Sequence, residues 1–212
     1  MKILIIIGAG GFGREVLAWA EQTYDFASEW RFGGFLDDNF RALNGLAYQE
    51  RIISNVAAYQ PKPDDRFLCA VGRPGLKERL VQPVLEKGGR FASLIHPTVV
   101  VGRKVTIGHG AILCPRVVLT SDIILGDFVS LNVGTAVGHD VVIGDWSQTS
   151  AFCDLTGASK VGRKVFLGSR ASVLPKVAVG DEAVIGAGSV VVRDVKAGQT
   201  VFGVPAVPLR TR

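Results

Sequence analysis

From Ile95 to Val191 an aliphatic residue recurs at every sixth position, through Val101, Ile107, Leu113, Leu119, Leu125, Leu131, Val137, Ile143, Leu155, Val161, Leu167, Val173, Val179 and Ile185; only Thr149 interrupts the series. Four residues after each beat stands a small or β-branched residue, as at Val105, Ala111, Val117, Val129, Val141 and Val165. Glycine often follows the aliphatic position directly, as at Gly102, Gly108, Gly126, Gly138, Gly144, Gly162, Gly168, Gly180 and Gly186. A period of six fits neither an α-helix nor a hairpin meander. It predicts a parallel β-helix in which each hexad forms one short strand and a turn. Three hexads close one triangular coil, so residues eighteen apart become vertical neighbours. Aliphatic side chains stack inside, charged ones point out, and glycine is expected to supply the backbone angles of the corners.

The first ninety or so residues follow another pattern. "ILIII" is a continuous apolar run suited to a parallel strand covered on both faces, and "REVLAWAEQT" carries Val16, Leu17 and Ala20 at helical spacing. "WRFGGFLDD" reads as a second strand ending in acids, "RFLCAVG" as a third, "LKERLVQPVLEKG" as a helix carrying Pro83, and "RFASLI" as a strand leading into the repeat. Strands alternating with helices predict a small Rossmann-like α/β domain over residues 1–94, followed by the β-helix over 95–212.

Composition narrows what such a chain does. With 48% hydrophobic residues in 212, a buried core is expected and disorder is not. The net charge of +5 comes from scattered single Lys and Arg residues rather than a basic run interleaved with aromatics, which argues against nucleic acid and fits a polyanionic small ligand. Cys69, Cys114 and Cys153 are widely spaced and odd in number, so neither a disulfide framework nor a Cys-x-x-Cys metal site is offered, and a reducing cytoplasm is expected. "MKILIII" is too short to span a bilayer and lacks a cleavage site before "GAGGFGRE".

Two places carry candidate chemistry. "GAGGFG", Gly8 to Gly13, matches G-x-G-x-x-G between a strand and a helix and would point backbone N–H groups at a phosphate; Asp37 and Asp38 fall where a ribose-binding carboxylate belongs. A dinucleotide fold uses two βαβαβ halves, whereas this domain runs out after one, so a single nucleotide with its diphosphate fits better than NAD. The second place is His139-Asp140, on outward positions of the repeat. Imidazole is suited to accept a proton near neutral pH, and an adjoining carboxylate can fix its tautomer. His96 reads as a cap of the prism and His109 as a surface residue. The three histidines lie 13 and 30 residues apart, so no metal site is expected.

The order "GAGGFG", "FLDD", "AVG", "LIHPTVVVG", "LNVGTAVGHDVVIGD", "LTG" and "VFGVPA" resembles the sialic acid O-acetyltransferase and UDP-4-amino-sugar N-acetyltransferase family over nearly the whole chain. The resemblance implies a homotrimer of left-handed prisms with acetyl-CoA in the groove between subunits. It implies His139 as general base with Asp140 supporting it, direct attack on the thioester, and Gly157 near the acetyl group. Ser169 and Ala187 match positions whose backbone lines the coenzyme groove. Gly10, Gly11, Phe12, Asp37, Asp38 and Gly72 would hold the acceptor's nucleotide, with Arg73 on its phosphates. Three departures stand out: Gln148 replaces a frequent second histidine beside the acyl donor, Phe12 replaces a frequent histidine, and Val207 follows "GVPA" with Arg210 the nearest cation. The expected function is acetyl-CoA-dependent N-acetylation of a nucleotide-linked amino sugar made for surface glycans, with an acyl group longer than acetyl also open. O-acetylation of sialic acid, a non-catalytic nucleotide-binding trimeric scaffold and, more distantly, an NAD oxidoreductase are the rivals.

Overall fold

The computed structural model describes residues 1–209 and divides into two compact units, Met1–Leu94 and the chain from Ile95 onward. In the first unit, β1 (Lys2–Ile7), β2 (Trp30–Leu36), β3 (Ile52–Ser54) and β4 (Asp65–Cys69) form a parallel sheet in the order β3-β2-β1-β4. Leu4 to Ile7 of β1 are fully buried, as an unbroken apolar run in a central strand requires. Helix α1 (Gly11–Thr23) buries Val16, Leu17 and Ala20, and α2 (Pro74–Glu86) buries Val81 and Val84. Pro74 opens α2, where its missing N–H costs nothing. Two expectations need correcting. β3 was not anticipated, because a three-residue edge strand leaves almost no periodic signal. "RFASLI" is not one strand: Phe91 makes an isolated bridge to Phe67, and only Leu94–Ile95 is extended and paired.

The second unit is a parallel β-helix of two-residue strands on three faces. The first face stacks Val100–Val101, Val118–Leu119, Ala136–Val137, Asp154–Leu155, Ser172–Val173 and Val190–Val191. The second stacks Thr106–Ile107, Ile124–Leu125, Val142–Ile143, Lys160–Val161 and Ala178–Val179. The third includes Ile112–Leu113, Ser130–Leu131, Gln148–Thr149, Phe166–Leu167 and Val184–Ile185, then Thr200–Phe202 and an antiparallel Val207–Pro208. Pairs such as Ile124↔Val142 and Ser172↔Val190 keep the eighteen-residue register, and the last coil shortens it at Val184↔Thr200. The aliphatic beat lines the interior from Leu113 to Val201. Thr149, the one polar residue in that beat, is accommodated because its hydroxyl lies 3.0 Å from Thr135 Oγ1 and accepts the Asn132 amide.

The role expected of the repeat glycines is also corrected. The left-handed turn residue stands three positions after the aliphatic beat, two after the glycine where there is one, and twelve times it is not glycine: Lys104, Asp122, Asp140, Trp146 and Lys164 are examples, with φ between 54° and 66°. Each coil holds such a residue in place by taking its amide onto the coil before, as in Asp140 N to Ser121 O at 3.1 Å and Trp146 N to Asp127 O at 2.8 Å. The glycine after the aliphatic position serves close stacking instead. A β-carbon at Gly138 would stand 2.9 Å from the Gly157 nitrogen, and one at Gly144 2.7 Å from the Gly162 carbonyl carbon.

Candidate functional site

The corner between the first and second faces stacks Ser121, His139 and Gly157 in successive coils. His139 Nδ1 lies 2.7 Å from Asp140 Oδ2. An ionised carboxylate only accepts, so Nδ1 carries the proton and Nε2 is left with its lone pair free. The pair stands in solvent, with 67% and 60% of the two side chains exposed, so its Coulombic energy is small and its work is to fix tautomer and ring direction. That direction is toward the next coil: a β-carbon at Gly157 would stand 2.6 Å from His139 Nε2. Glycine at 157 thus leaves the floor on which the imidazole rests. The Ser121, His139 and Gly157 amides have no acceptor among the described residues, although the amides on either side join the coil-to-coil ladder.

The corner between the second and third faces is built differently. There Asp127 accepts the His109 amide at 2.8 Å, Asp145 the Asp127 amide at 3.0 Å and Asp181 the Arg163 amide at 2.8 Å, each carboxylate closing the corner one coil below. Beside it Phe128 and Trp146 stack with ring centroids 4.3 Å apart. His109 is accordingly an exposed member of a structural ladder, as expected. His96 is 5% exposed, its Nδ1 lies 2.8 Å from Thr98 Oγ1, and burial holds its pKa below the ordinary histidine value.

In the first unit the glycine loop is open as expected. Gly8 adopts φ +96°, α1 starts with no side-chain cap at Gly10 and no acid in its first turn, and nothing would meet a β-carbon at Gly10 or Gly72. Beside it, a cavity of about 180 Å³ is lined by Ile7, Gly8, Asp37, Asp38, Val71 and Leu80, among others. Asp37 ties this edge together: its Oδ2 accepts the Ala9 amide and its Oδ1 the Asn39 amide, both at 2.8 Å. Asp38 is exposed and Phe12 packs edge-on against Trp19 of its own helix. Arg73, at the start of α2, lines a separate cavity with Arg79 and is not among the residues lining the first.

Residues 3–84 match the family described as PglD N-terminal domain, and residues 158–193 match bacterial transferase hexapeptide (six repeats). A GDP-perosamine N-acetyltransferase of Escherichia coli O157:H7 is 29% identical over 97% of this chain and 96% of its own. Among solved structures, PerB of Caulobacter crescentus in complex with CoA and GDP-perosamine superposes with a TM-score of 0.88 at 26% identity, covering 99% of this chain and 98% of that one. The acetyltransferase domain of PglB from Neisseria gonorrhoeae in complex with acetyl coenzyme A gives 0.87 at 29% identity, covering 98% and 99%. Along its whole length the chain is thus similar to hexapeptide-repeat sugar N-acetyltransferases that carry a PglD-type N-terminal domain.

In this acyltransferase, then, one chain brings His139, Asp140 and Gly157 together and keeps the other expected coenzyme residues apart from them. Gln148 sits on the third face, opposite the His139 corner; it is 3% exposed, its Nε2 donates to Thr149 O at 3.2 Å and its Oε1 has no partner within the chain. Ser169 and Ala187 are exposed in successive coils of the corner between the third and first faces. Arg210 lies outside the described residues. The described residues contain no cluster of three or more His, Cys, Asp or Glu that could hold a metal, and no helix long and apolar enough to cross a membrane. Cys69, Cys114 and Cys153 are free and buried, and burial pushes the Cys69 and Cys153 thiols up to about 12 and about 11. None is a nucleophile in waiting. Arg14 was missed in the sequence although it stands visibly in the first turn after the glycines, because its surroundings, not its type, make it unusual.

Proposed function

We propose that this protein transfers the acetyl group of acetyl-CoA to the amine of a nucleotide-linked amino sugar, with His139 as general base. The observation that carries the reading is the His139 imidazole, held through Nδ1 by Asp140 with Nε2 turned toward Gly157, on a corner whose amides have no acceptor among the described residues. The amine nitrogen attacks the thioester carbonyl carbon while His139 Nε2 takes its proton, and Asp140 stabilises the imidazolium that forms. The C–O double bond opens to an oxyanion, for which the Gly157 N–H, without an acceptor among the described residues and beside His139, is the candidate donor. Collapse of the tetrahedral intermediate breaks the C–S bond, and the proton held on His139 passes to the departing thiolate. No acyl-enzyme is formed.

The residues on hand divide the two substrates between the units. Gly10, Gly11, Phe12, Asp38 and Gly72 border the nucleotide, with Asp37 shaping its edge from beneath. Ser169, Ala187 and Gln148 belong to the coenzyme side; since none shares the His139 corner, we assign them to the neighbouring chain of a homotrimer, where a groove between two prisms would bring them to it. The relatives acting on GDP-perosamine make a GDP-linked 4-amino sugar the first acceptor to try. The phosphate-suited glycine loop favours such an acceptor over free sialic acid, which has no diphosphate. Three buried thiols outside any disulfide fit a cytoplasmic location.

The test follows thiol release from acetyl-CoA with GDP-, UDP- and dTDP-linked 4-amino sugars and free sialic acid, beside His139→Ala. Turnover on one amino sugar that collapses in the variant supports the reading. Turnover on sialic acid alone would replace the acceptor. No turnover on any acceptor, with acetyl-CoA not bound either, would favour the scaffold.

A further inference from the structure

Helix α1 carries a cation where elementary electrostatics disfavours one. The positive end of a helix dipole stabilises acids and repels bases, yet the first turn of α1 holds no acid and Arg14 stands in it. Its side chain folds back toward the helix start, as long side chains in helices do, so that Nη2 lies 3.9 Å from where a β-carbon of Gly11 would be. The guanidinium carbon is 5.8 Å from the centre of the Tyr48 ring, within cation–π range. Its Nε is buried and has no hydrogen-bond partner among the described residues. Among the described residues no carboxylate pairs with it. A half-buried cation with one unpartnered donor at an uncapped helix start is unfavourably placed in the empty protein and becomes favourably placed when an anion arrives.

We infer that Arg14, with Tyr48 beside its guanidinium, is the residue that reads the diphosphate of the acceptor. The inference rests on the nucleotide-linked reading above and replaces Arg73 in that role. Arg73 precedes α2 and lines, with Arg79, an adjoining cavity that shares only Leu76 with the one beside the glycine loop. The planar fork of Arg14 can offer two parallel donors to one phosphate while the α1 amides at Gly10 and Gly11 serve the other.

The experiment is isothermal titration of the full chain with guanosine, GDP, uridine and UDP, comparing wild type, Arg14→Gln, Arg14→Lys and Arg73→Gln. Wild type should bind the preferred nucleoside diphosphate more tightly than its nucleoside. Arg14→Gln should weaken the diphosphate by about ten- to a hundredfold, the worth of charge-assisted hydrogen bonds, and leave the nucleoside constant unchanged. Arg14→Lys should recover part of the loss, and Arg73→Gln should change it less than about threefold. Equal weakening of nucleoside and diphosphate in Arg14→Gln would show a structural role and overturn the inference, as would loss of the diphosphate preference in Arg73→Gln alone. If wild type binds neither diphosphate better than its nucleoside, the nucleotide-linked reading itself falls, and the Arg14 inference with it.

Discussion

Two corners of the same prism solve the same backbone problem in opposite ways. Between the second and third faces, the amides of His109, Asp127 and Arg163 are capped by aspartates one coil above. Between the first and second faces, the equivalent amides of Ser121, His139 and Gly157 are left open, and the side chains that could have capped them are an imidazole turned outward and no side chain at all. The first arrangement spends its polar groups on holding coils together. The second keeps them for a visitor, which is the usual exchange of stability for function at a working site.

The sharpest way to break this contrast is to remove the base. His139→Ala should lower kcat by about 10²- to 10⁴-fold, the usual worth of general-base catalysis, while the melting temperature stays put because the side chain is two-thirds exposed. A kcat within about tenfold of wild type, below the lower end of that range, would mean the corner is not the reacting one. Next comes Gly157→Ala. Its methyl would fall 2.6 Å from His139 Nε2, so the ring must swing aside, and a displacement of that order at a reacting group costs about 10²-fold in rate. Acetyl-CoA affinity and circular dichroism, measured beside it, should separate a displaced base from a disturbed prism.

The structural corner should show the reverse. Asp145→Ala removes the cap of the Asp127 amide and the 3.5 Å contact to Arg163, and should cost about 1 kcal/mol of stability by denaturant melts with kcat unchanged. His139→Asn goes one step further by turning the active corner into a structural one. An asparagine there is placed to cap the Ser121 amide as Asp127 caps His109, so the variant should gain roughly 0.5–1 kcal/mol in stability while losing activity as His139→Ala does. Equal stability in the alanine and asparagine variants would show that the open Ser121 amide carries no cost.

The prism was legible because its period is strict: each aliphatic beat from Leu113 onward fills the interior, and a one-residue slip would have exposed them all. His139-Asp140 was legible as an outward pair for the same reason. What the pattern could not give was the meaning of its glycines. Gly138 and Asp140 both stand at one corner, but the left-handed angle belongs to Asp140 and the close coil contact to Gly138, a division that depends on atoms eighteen residues away. Gly157 could be named only through a resemblance, since nothing in "LTGAS" announces an imidazole lying over it. Arg14 escaped for a related reason: a cation in a first helical turn is ordinary on an exposed surface and becomes unusual only once its Nε is buried without a partner.

The third corner of the prism supplies the smallest test, because it too begins with a histidine. His96 is buried where His139 is exposed, and its ring is engaged with Thr98 rather than with a carboxylate. Burial lowers its pKa, so between that lowered value and the unfolded histidine's roughly 6.5 the unfolded chain binds the proton that the folded chain refuses. Stability therefore rises with pH across that window and is lost as pH falls through it, with a slope no steeper than about 1.4 kcal/mol per pH unit from this one group. Denaturant melts taken at intervals below neutrality should show this slope in the wild type, and His96→Gln should flatten it while leaving acetyl transfer at neutral pH within about twofold, since a group that only shapes its own corner removes no catalytic interaction. If the slope survived in His96→Gln and vanished in His139→Gln, the two histidines would have exchanged roles, and the distinction between a structural and a reacting corner would have been drawn in the wrong place.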